Sequence, residues 1–259
     1  MKEELITREY IHVAVSSDPP VIEMKGIRKS YDNGLVLKDV EISVRKGENL
    51  VVLGKSGSGK SVLIKCIVGL VIPDAGEVRV LGENILELNE KQLNEIRLKI
   101  GFLFQNAALY DSMTVGENLH FPLKNHFNNL TEVEIEKKIY EGLDDVGLKD
   151  SIYKMPSELS GGMTKRIGLA RTLILKPEIM LYDEPTTGLD TATAKEISEL
   201  IVSLQKKNKI SSIIITHDMA CAKITADRIV ILKDGVIETE GSYDELAASD
   251  NEWVRMFFT

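Results

Sequence analysis

The sequence predicts an α/β fold with a mainly parallel core sheet, an antiparallel β subdomain and an inserted helical subdomain at about 105–176. Three observations carry this. "NLVVLG" (49–54), "EIMLYD" (178–183) and "SSIIIT" (211–216) are continuous apolar runs, the pattern of strands buried on both faces. Amphipathic helical patterns lie between them, as βα units require. "DVEISV" (39–44) instead alternates polar and apolar residues, which marks an antiparallel sheet with one wet face.

Residues 1–20 read as a leader, with "SSDPP" (16–20) as a hinge to the folded body at 21–259. "YIHVAV" (10–15) reads equally as an extra edge strand. "VIEMKGIRKSY" (21–31), "VLKDVEISV" (36–44) and "GEVRVLGENI" (76–85) are short β segments. "TEVEIEKKIYEGLDDVG" (131–147) opens with the capping-box pair Thr131 and Glu134, and places Ile135, Ile139, Leu143 and Val146 on one face. "GMTKRIGLARTLIL" (162–175) is helical and closed by Lys176–Pro177, with Gly161 and Gly162 just before the helical run. "TATAKEISELIVSLQKKN" (191–208) is amphipathic, capped by its early threonines. "RIVILKDG" (228–235) is a strand ending in a turn at Asp234–Gly235.

With 259 residues the chain has room for a sizeable core. The net charge of −8 disfavours nucleic acid as the main partner, since a phosphate-backbone binder needs a basic face. It also disfavours direct adhesion to an anionic lipid surface. The two cysteines, Cys66 and Cys221, sit in apolar settings and read as buried free thiols. No stretch reaches the roughly 18 apolar residues of a membrane span. The start lacks the apolar core of a signal peptide. A cytoplasmic location follows by elimination.

Chemistry concentrates at strand ends. After "NLVVL" comes Gly54-Lys55-Ser56-Gly57-Ser58-Gly59-Lys60-Ser61, which fits the phosphate-binding pattern G-x-x-x-x-G-K-S/T. Backbone N–H groups and a helix N-terminus would cradle phosphates there. Lys60 would reach the β- and γ-phosphates, and Ser61 would ligate Mg²⁺. Asp183 ends a buried strand and would hold the Mg²⁺ environment, with Glu184 beside it as general base for the attacking water. His217 ends another strand and could contact the γ-phosphate and hold that water. Gln105, after "GFLF", could reach the metal or the water. In "SELSGGMTKR" (157–166), Ser160 reads as an N-cap, and the bare N–H groups of Gly161 and Gly162 make a second anion site. Since the P-loop already serves this chain's phosphates, the second site is most useful to a nucleotide bound by another copy.

"GKSGSGKS", Gln105, "LSGGM", "LYDEP", "TTGLD" and His217, in this order, resemble the ATP-binding subunits of ABC transporters over roughly 21–245. The resemblance implies ATPase activity and a head-to-tail dimer holding two ATP molecules between the P-loop of one copy and "LSGG" of the other. It implies that Asp190 signals across that dimer, and that Tyr31 stacks on adenine, although from sequence alone Tyr31 could be an ordinary strand residue. Met163 replaces the family's usual glutamine. A thioether cannot donate the amide hydrogen bond, so contact in trans would lean on Ser160 and the glycine amides.

Met163, together with "FLFQNAALYDSMTVGENLHFPLKNH" and "MPSELSGGMTKRIGLARTLIL", is similar to Mla-type ATPases. These drive phospholipid transport with a permease and an MCE-domain lipid-binding protein, sometimes with a regulatory subunit. The resemblance implies a peripheral position on the inner face of the cell membrane. An importer ATPase for amino acids or another small solute is the rival within transport. A signalling ABC ATPase of a membrane cell-division complex is the rival outside it. DNA-repair and translation relatives need long coiled coils or tandem cassettes, for which the chain has no room. Phe104, Ala107, Ala108, Leu109 and Tyr110 cannot all face one small core. Part of this segment, Leu109 included, is expected to line a groove that receives a short permease helix.

Overall fold

Apolar residues alternate along the strands of a six-stranded sheet, and the alternation builds two cores, one on each face. The structure, a computed structural model, describes residues 18–32, 34–127 and 129–258. Most of the proposed leader and the reading of 10–15 as a strand lie outside these residues. In chain order the strands are β1 (Ile22–Tyr31), β2 (Gly34–Val44), β3 (Asn49–Leu53), β4 (Ala75–Val80), β5 (Glu83–Asn84), β6 (Ile100–Leu103), β7 (Ile179–Asp183), β8 (Ser211–Thr216), β9 (Arg228–Lys233) and β10 (Val236–Gly241). The helices are α1 (Lys60–Ile67), α2 (Glu90–Arg97), α3 (Val115–His126), α4 (Glu132–Asp145), α5 (Gly161–Leu173), α6 (Thr191–Asn208), α7 (Met219–Thr225), α8 (Tyr243–Ala247) and α9 (Glu252–Arg255).

The larger sheet has the order β10-β9-β3-β8-β7-β6. Its strands β9, β3, β8, β7 and β6 run parallel, and β10 closes one edge antiparallel. Val51 and Leu53 of β3 face one core while Leu50 and Val52 face the other. Met180 and Tyr182 alternate with Ile179 and Leu181 in the same way along β7. A strand covered on both faces leaves little place for polar residues away from its ends, which is why these segments read as apolar runs.

One face carries α1 and the four-stranded antiparallel sheet β2-β1-β4-β5. Here the wet face shows: Val40, Ile42 and Val44 are buried, Glu41 and Ser43 exposed. The other face carries α5, α6, α7 and the helices of 105–176, whose buried residues join one continuous core with the sheet. Within that region α4 has the expected capping box, Glu134 N–H donating to Thr131 Oγ1 at 3.3 Å and Thr131 N–H to Glu134 Oε2 at 2.8 Å. Ile135, Ile139, Leu143 and Val146 are all buried. The β9–β10 hairpin turns through Asp234 (φ 48°) and Gly235 (φ 84°). Two positive φ values in a two-residue loop are what a type I′ turn demands. A Cβ on Gly235 would lie 2.4 Å from the Val36 carbonyl oxygen, so the hairpin tip docks on β2 only through glycine.

Helix α6 is capped differently from the sequence expectation. Thr191 is already its first residue. The cap is Asp190, whose carboxylate accepts the N–H groups of Ala192 (3.1 Å) and Thr193 (3.0 Å). A carboxylate takes two orphan amides at once and complements the positive end of the helix dipole, which a hydroxyl does not. Cys66 and Cys221 are free and buried, and burial pushes the Cys66 thiol up to about 11.

Candidate nucleotide-binding and catalytic site

The carboxyl ends of β3, β6, β7 and β8 lie side by side on one edge of the parallel sheet, where open α/β sheets bind ligands. From β3 the chain enters the loop Gly54–Gly59. Gly57 and Gly59 have φ of 79° and 106°. A Cβ on Gly54 would lie 2.5 Å from the Leu232 carbonyl oxygen, and one on Gly59 would lie 2.8 Å from Leu37 Cδ2. The backbone therefore folds tightly only with glycine at these points. Gly59 is the N-cap of α1 and offers no side-chain acceptor, so the first-turn amides of α1 remain free for an anion. Ser58 Oγ is buried without a hydrogen-bond partner, an orphan that an oxygen-rich ligand would satisfy. Lys55, Ser56 and Gly57 are exposed at the mouth. Lys60 is buried, and its Nζ donates to the carbonyls of Gly54 (2.7 Å) and Lys55 (3.1 Å). Burial lowers its pKa, while the carboxylates of Glu184 and Asp183 oppose that shift.

Ser61 Oγ donates to Asp183 Oδ1 at 3.5 Å, so a hydroxyl and a carboxylate from different elements meet beside the loop. Desolvation first, and then the charge of Glu184, raise the pKa of Asp183. A carboxylate strained in this way gains from a cation. Glu184 Oε2 is 2.8 Å from His217 Nδ1 and accepts from Thr187 Oγ1 at 3.2 Å. His217 is 65% exposed and Glu184 14%, so the imidazole covers the carboxylate from the solvent side. Glu184 has φ 51°, a left-handed conformation that a non-glycine residue holds only when its surroundings fix it.

Lys165 supplies part of that fixing, and sequence reasoning passed over it. It is only 5% exposed, and its Nζ donates to the carbonyls of Gln105 and of Glu184 (3.3 Å). Its signal was present in the spacing: Gly162, Lys165 and Leu169 fall at i, i+3, i+7 on the buried face of α5. Gln105 itself has an exposed side chain and is tied to the site through its backbone.

Gly161 and Gly162 form the first turn of α5, as an N-cap at Ser160 requires. Ser160 caps them, its Oγ accepting from Met163 N–H at 3.3 Å. A Cβ on Gly162 would lie 2.5 Å from Thr193 Cγ2, and one on Gly161 would lie 3.2 Å from Leu189 Cδ2. The glycines thus let the mouth of α5 press against residues 189–193 of the same chain. Asp190 stands there, exposed, accepting from Thr193 Oγ1 at 2.6 Å, a bond that holds its carboxyl below the usual range. Among the described residues, no hydrogen bond or ion pair joins 160–163 to 54–61. Tyr31 ends β1 with its ring exposed and the Lys29 ammonium 5.5 Å from the ring centroid.

Beside Gln105 runs an open groove of about 510 Å³ between β6, α3 and α5. Phe104, Ala108 and Tyr110 line it, with Phe121 and Arg171. Phe102 and Phe104 stack at 4.2 Å, and Arg171 lies over the Tyr110 ring at 5.6 Å. The segment divides as follows: Ala107 is buried and Leu109 packs against the core, so neither belongs to the groove wall. Leu109 is therefore not the contact residue the sequence suggested. A left-handed backbone at Ala107 (φ 55°) and Ala108 (φ 49°) breaks the strand periodicity and turns Leu109 inward.

A glycine-rich phosphate loop, a strand-end Asp-Glu pair and a capped glycine helix on one parallel sheet define a nucleotide-hydrolysing P-loop cassette. The family model for ABC transporters matches residues 37–187, and the chain belongs to that family, as an ATPase cassette. It is 39% identical over 236 residues to the probable ribonucleotide transport ATP-binding protein mkl of Mycobacterium leprae, covering 91% of this chain and 68% of that one. It is 36% identical over 226 residues to the methionine import ATP-binding protein MetN of Brucella abortus, covering 87% of this chain. The chain spans 61% of the length of MetN. Among solved structures, an ATP-binding cassette captured as a dimer in a post-hydrolysis state with ADP and Pi superposes with a TM-score of 0.78 at 33% identity, covering 85% of this chain and 98% of that one. The protein cbiO1 of Clostridium perfringens, part of the cbiONQ ABC transporter complex, gives 0.83 at 29% identity, covering 92% and 94%.

Proposed function

We propose that this chain is the ATP-hydrolysing motor of a membrane transporter, working as a head-to-tail dimer on a permease. The observation that carries the catalytic part is the Glu184–His217 contact of 2.8 Å beside the Ser61–Asp183 pair. Loop amides and Lys60 bind the phosphates of ATP. Mg²⁺, held by Ser61 and Asp183, would neutralise phosphate charge, and the orphaned Ser58 hydroxyl and desolvated Asp183 fit such a charged ligand. Gln105 is the further candidate for the metal or the water. Glu184 orients the attacking water and takes its proton, and His217 steadies the Glu184 carboxylate. Tyr31 is proposed to stack on adenine. Ser160, Gly161, Gly162 and Met163 meet the nucleotide of the partner copy, with Asp190 beside them at the junction. Glu184→Gln tests this: steady hydrolysis is lost while ATP still binds. Lys60→Ala loses ATP affinity itself. Wild-type turnover by Glu184→Gln in an assembled complex rules out Glu184 as the base.

The substrate we propose is phospholipid, moved with a permease and an MCE-domain lipid-binding protein, with a regulatory subunit as a further partner. Met163 and the 102–126 segment support this reading. No helix among the described residues is long and apolar enough to cross a membrane, and the aromatic groove beside Gln105 suits a short helix of a membrane partner. On this reading the cassette sits peripherally on the inner face of the cell membrane. A second reading, an importer of amino acids or similar solutes, is favoured by the 36% identity to a methionine-import protein. Purifying the complex from its native membrane separates them. Bound phospholipid and an MCE-domain chain are expected, and a solute-binding protein in their place would overturn the lipid reading. A permease-like partner without any carried lipid or solute would point to the signalling class.

A further inference from the structure

We infer that Lys165 is a positioning residue that ties the glycine mouth of α5 to the general base of the same chain, and so links the two ATP sites of the dimer. The inference rests on the head-to-tail dimer proposed above. In that dimer Gly161 and Gly162 serve the nucleotide of the partner copy. One turn further along the same helix, the ammonium of Lys165 enters the interior and donates to two carbonyls of its own chain's site, those of Gln105 and Glu184. These peptides follow different strands, β6 and β7. An ammonium has three donors and can hold both at once.

The attachment is directional. Glu184 N–H is fixed to the Ile215 carbonyl at 2.9 Å, and its left-handed carbonyl is the side that Lys165 holds. The same helix grips the same loop a second time. Arg171 donates to the carbonyls of Ala107 (2.9 Å) and Ala108 (2.8 Å), both at positive φ. Between the two grips, Gly168 allows contact: a Cβ there would lie 2.8 Å from the Ala107 Cβ. A rigid helix held at both ends of one loop transmits a small shift at its mouth into the placement of Gln105 and Glu184. Misplacement of a base by about 1 Å can cost ~100-fold in rate.

Lys165→Met keeps an unbranched side chain of similar packing, one atom shorter, but removes every donor. We expect kcat to fall about 10- to 100-fold, with ATP affinity and a cooperative melt retained, and Lys165→Gln to recover part of the rate. Mixed dimers locate the effect. The control pairs a wild-type chain with a Glu184→Gln chain. In the first test, Lys165→Met is in the chain that keeps Glu184, and turnover should drop about 10- to 100-fold below the control. In the second, Lys165→Met is in the Glu184→Gln chain, so it alters only the helix that serves the partner's nucleotide, and turnover should match the control. Should Lys165→Met melt without cooperativity, Lys165→Gln takes its place in the same pairs. Loss in the second pair but not the first, or in neither, overturns the assignment. Failure of the Glu184→Gln control to form any ATP-dependent dimer overturns the dimer reading, and the link between sites with it.

Discussion

Gly162 answers to two requirements at once. Its missing side chain leaves room for Thr193, and its N–H belongs to the first turn of α5, where helical amides have no intrahelical partner. Gly162→Asp drives atoms into Thr193 and adds negative charge where the proposed dimer brings a γ-phosphate, so ATPase activity of the assembled complex should fall about 100-fold or more. Met163→Gln keeps the Ser160 cap and both glycine amides, and should stay within about threefold of wild type. An inactive Met163→Gln beside an active Gly162→Asp would contradict this account of the mouth. At this scale the phosphate loop, Asp183, Glu184 and His217 were legible because their chemistry depends on order along the chain. Lys165 and the Asp190 cap were harder to see. A buried lysine looks like any surface lysine until its helix face is assigned, and Asp190 stands one residue before the threonines that drew attention to the helix start.

Among elements, the strands of the parallel sheet declared themselves because burial on both faces keeps their centres apolar, and α4 because Thr131 and Glu134 close a capping box. The segment after β6 did not. Two consecutive left-handed alanines send Ala107 and Leu109 inward and leave Phe104, Ala108 and Tyr110 on the groove, a division that no period of 2 or 3.6 encodes. The docking test therefore moves. Phe104→Glu and Tyr110→Glu should release the cassette from its membrane partner with nucleotide binding intact. Leu109→Glu should instead lower the cassette's own stability by about 2 kcal/mol or more, through an unpaired charge against the core. Pull-down yield beside a thermal melt distinguishes the two outcomes, and full recovery of partner with Tyr110→Glu and Phe104→Glu would count against the groove. A second element-level device joins β1 to the turn before β4. Asp74 accepts from Lys29 Nζ at 2.7 Å and from the N–H and hydroxyl of Ser30, each at 2.6 Å. These donors lower its carboxyl from 3.8 to about 2. A depressed acid stabilises the fold above its unfolded pKa and ceases to do so as pH falls through the folded one. The stability gap between wild type and Asp74→Asn should accordingly be full at pH 5 and shrink toward pH 2, as read from urea midpoints. A gap that is constant over that range would mean the Asp74 charge contributes nothing.

For the whole molecule, the arrangement follows from one division of labour. The parallel sheet brings the phosphate loop, Asp183, Glu184 and His217 to one edge, while among the described residues no hydrogen bond or ion pair ties the capped mouth of α5 to that loop. In the proposed head-to-tail dimer, a second copy supplies what each copy lacks. The chain's sequence suggested two phosphate-binding elements but not how they sit in the fold, since that is a property of packing. The most direct measurement is the mass in solution of the Glu184→Gln chain with Mg²⁺-ATP, with Mg²⁺-ADP and without nucleotide, by light scattering on a sizing column. The account predicts twice the 28.8 kDa of one chain with ATP and a single chain's mass in the other two conditions. A chain that binds ATP stoichiometrically and yet remains at 28.8 kDa would contradict it.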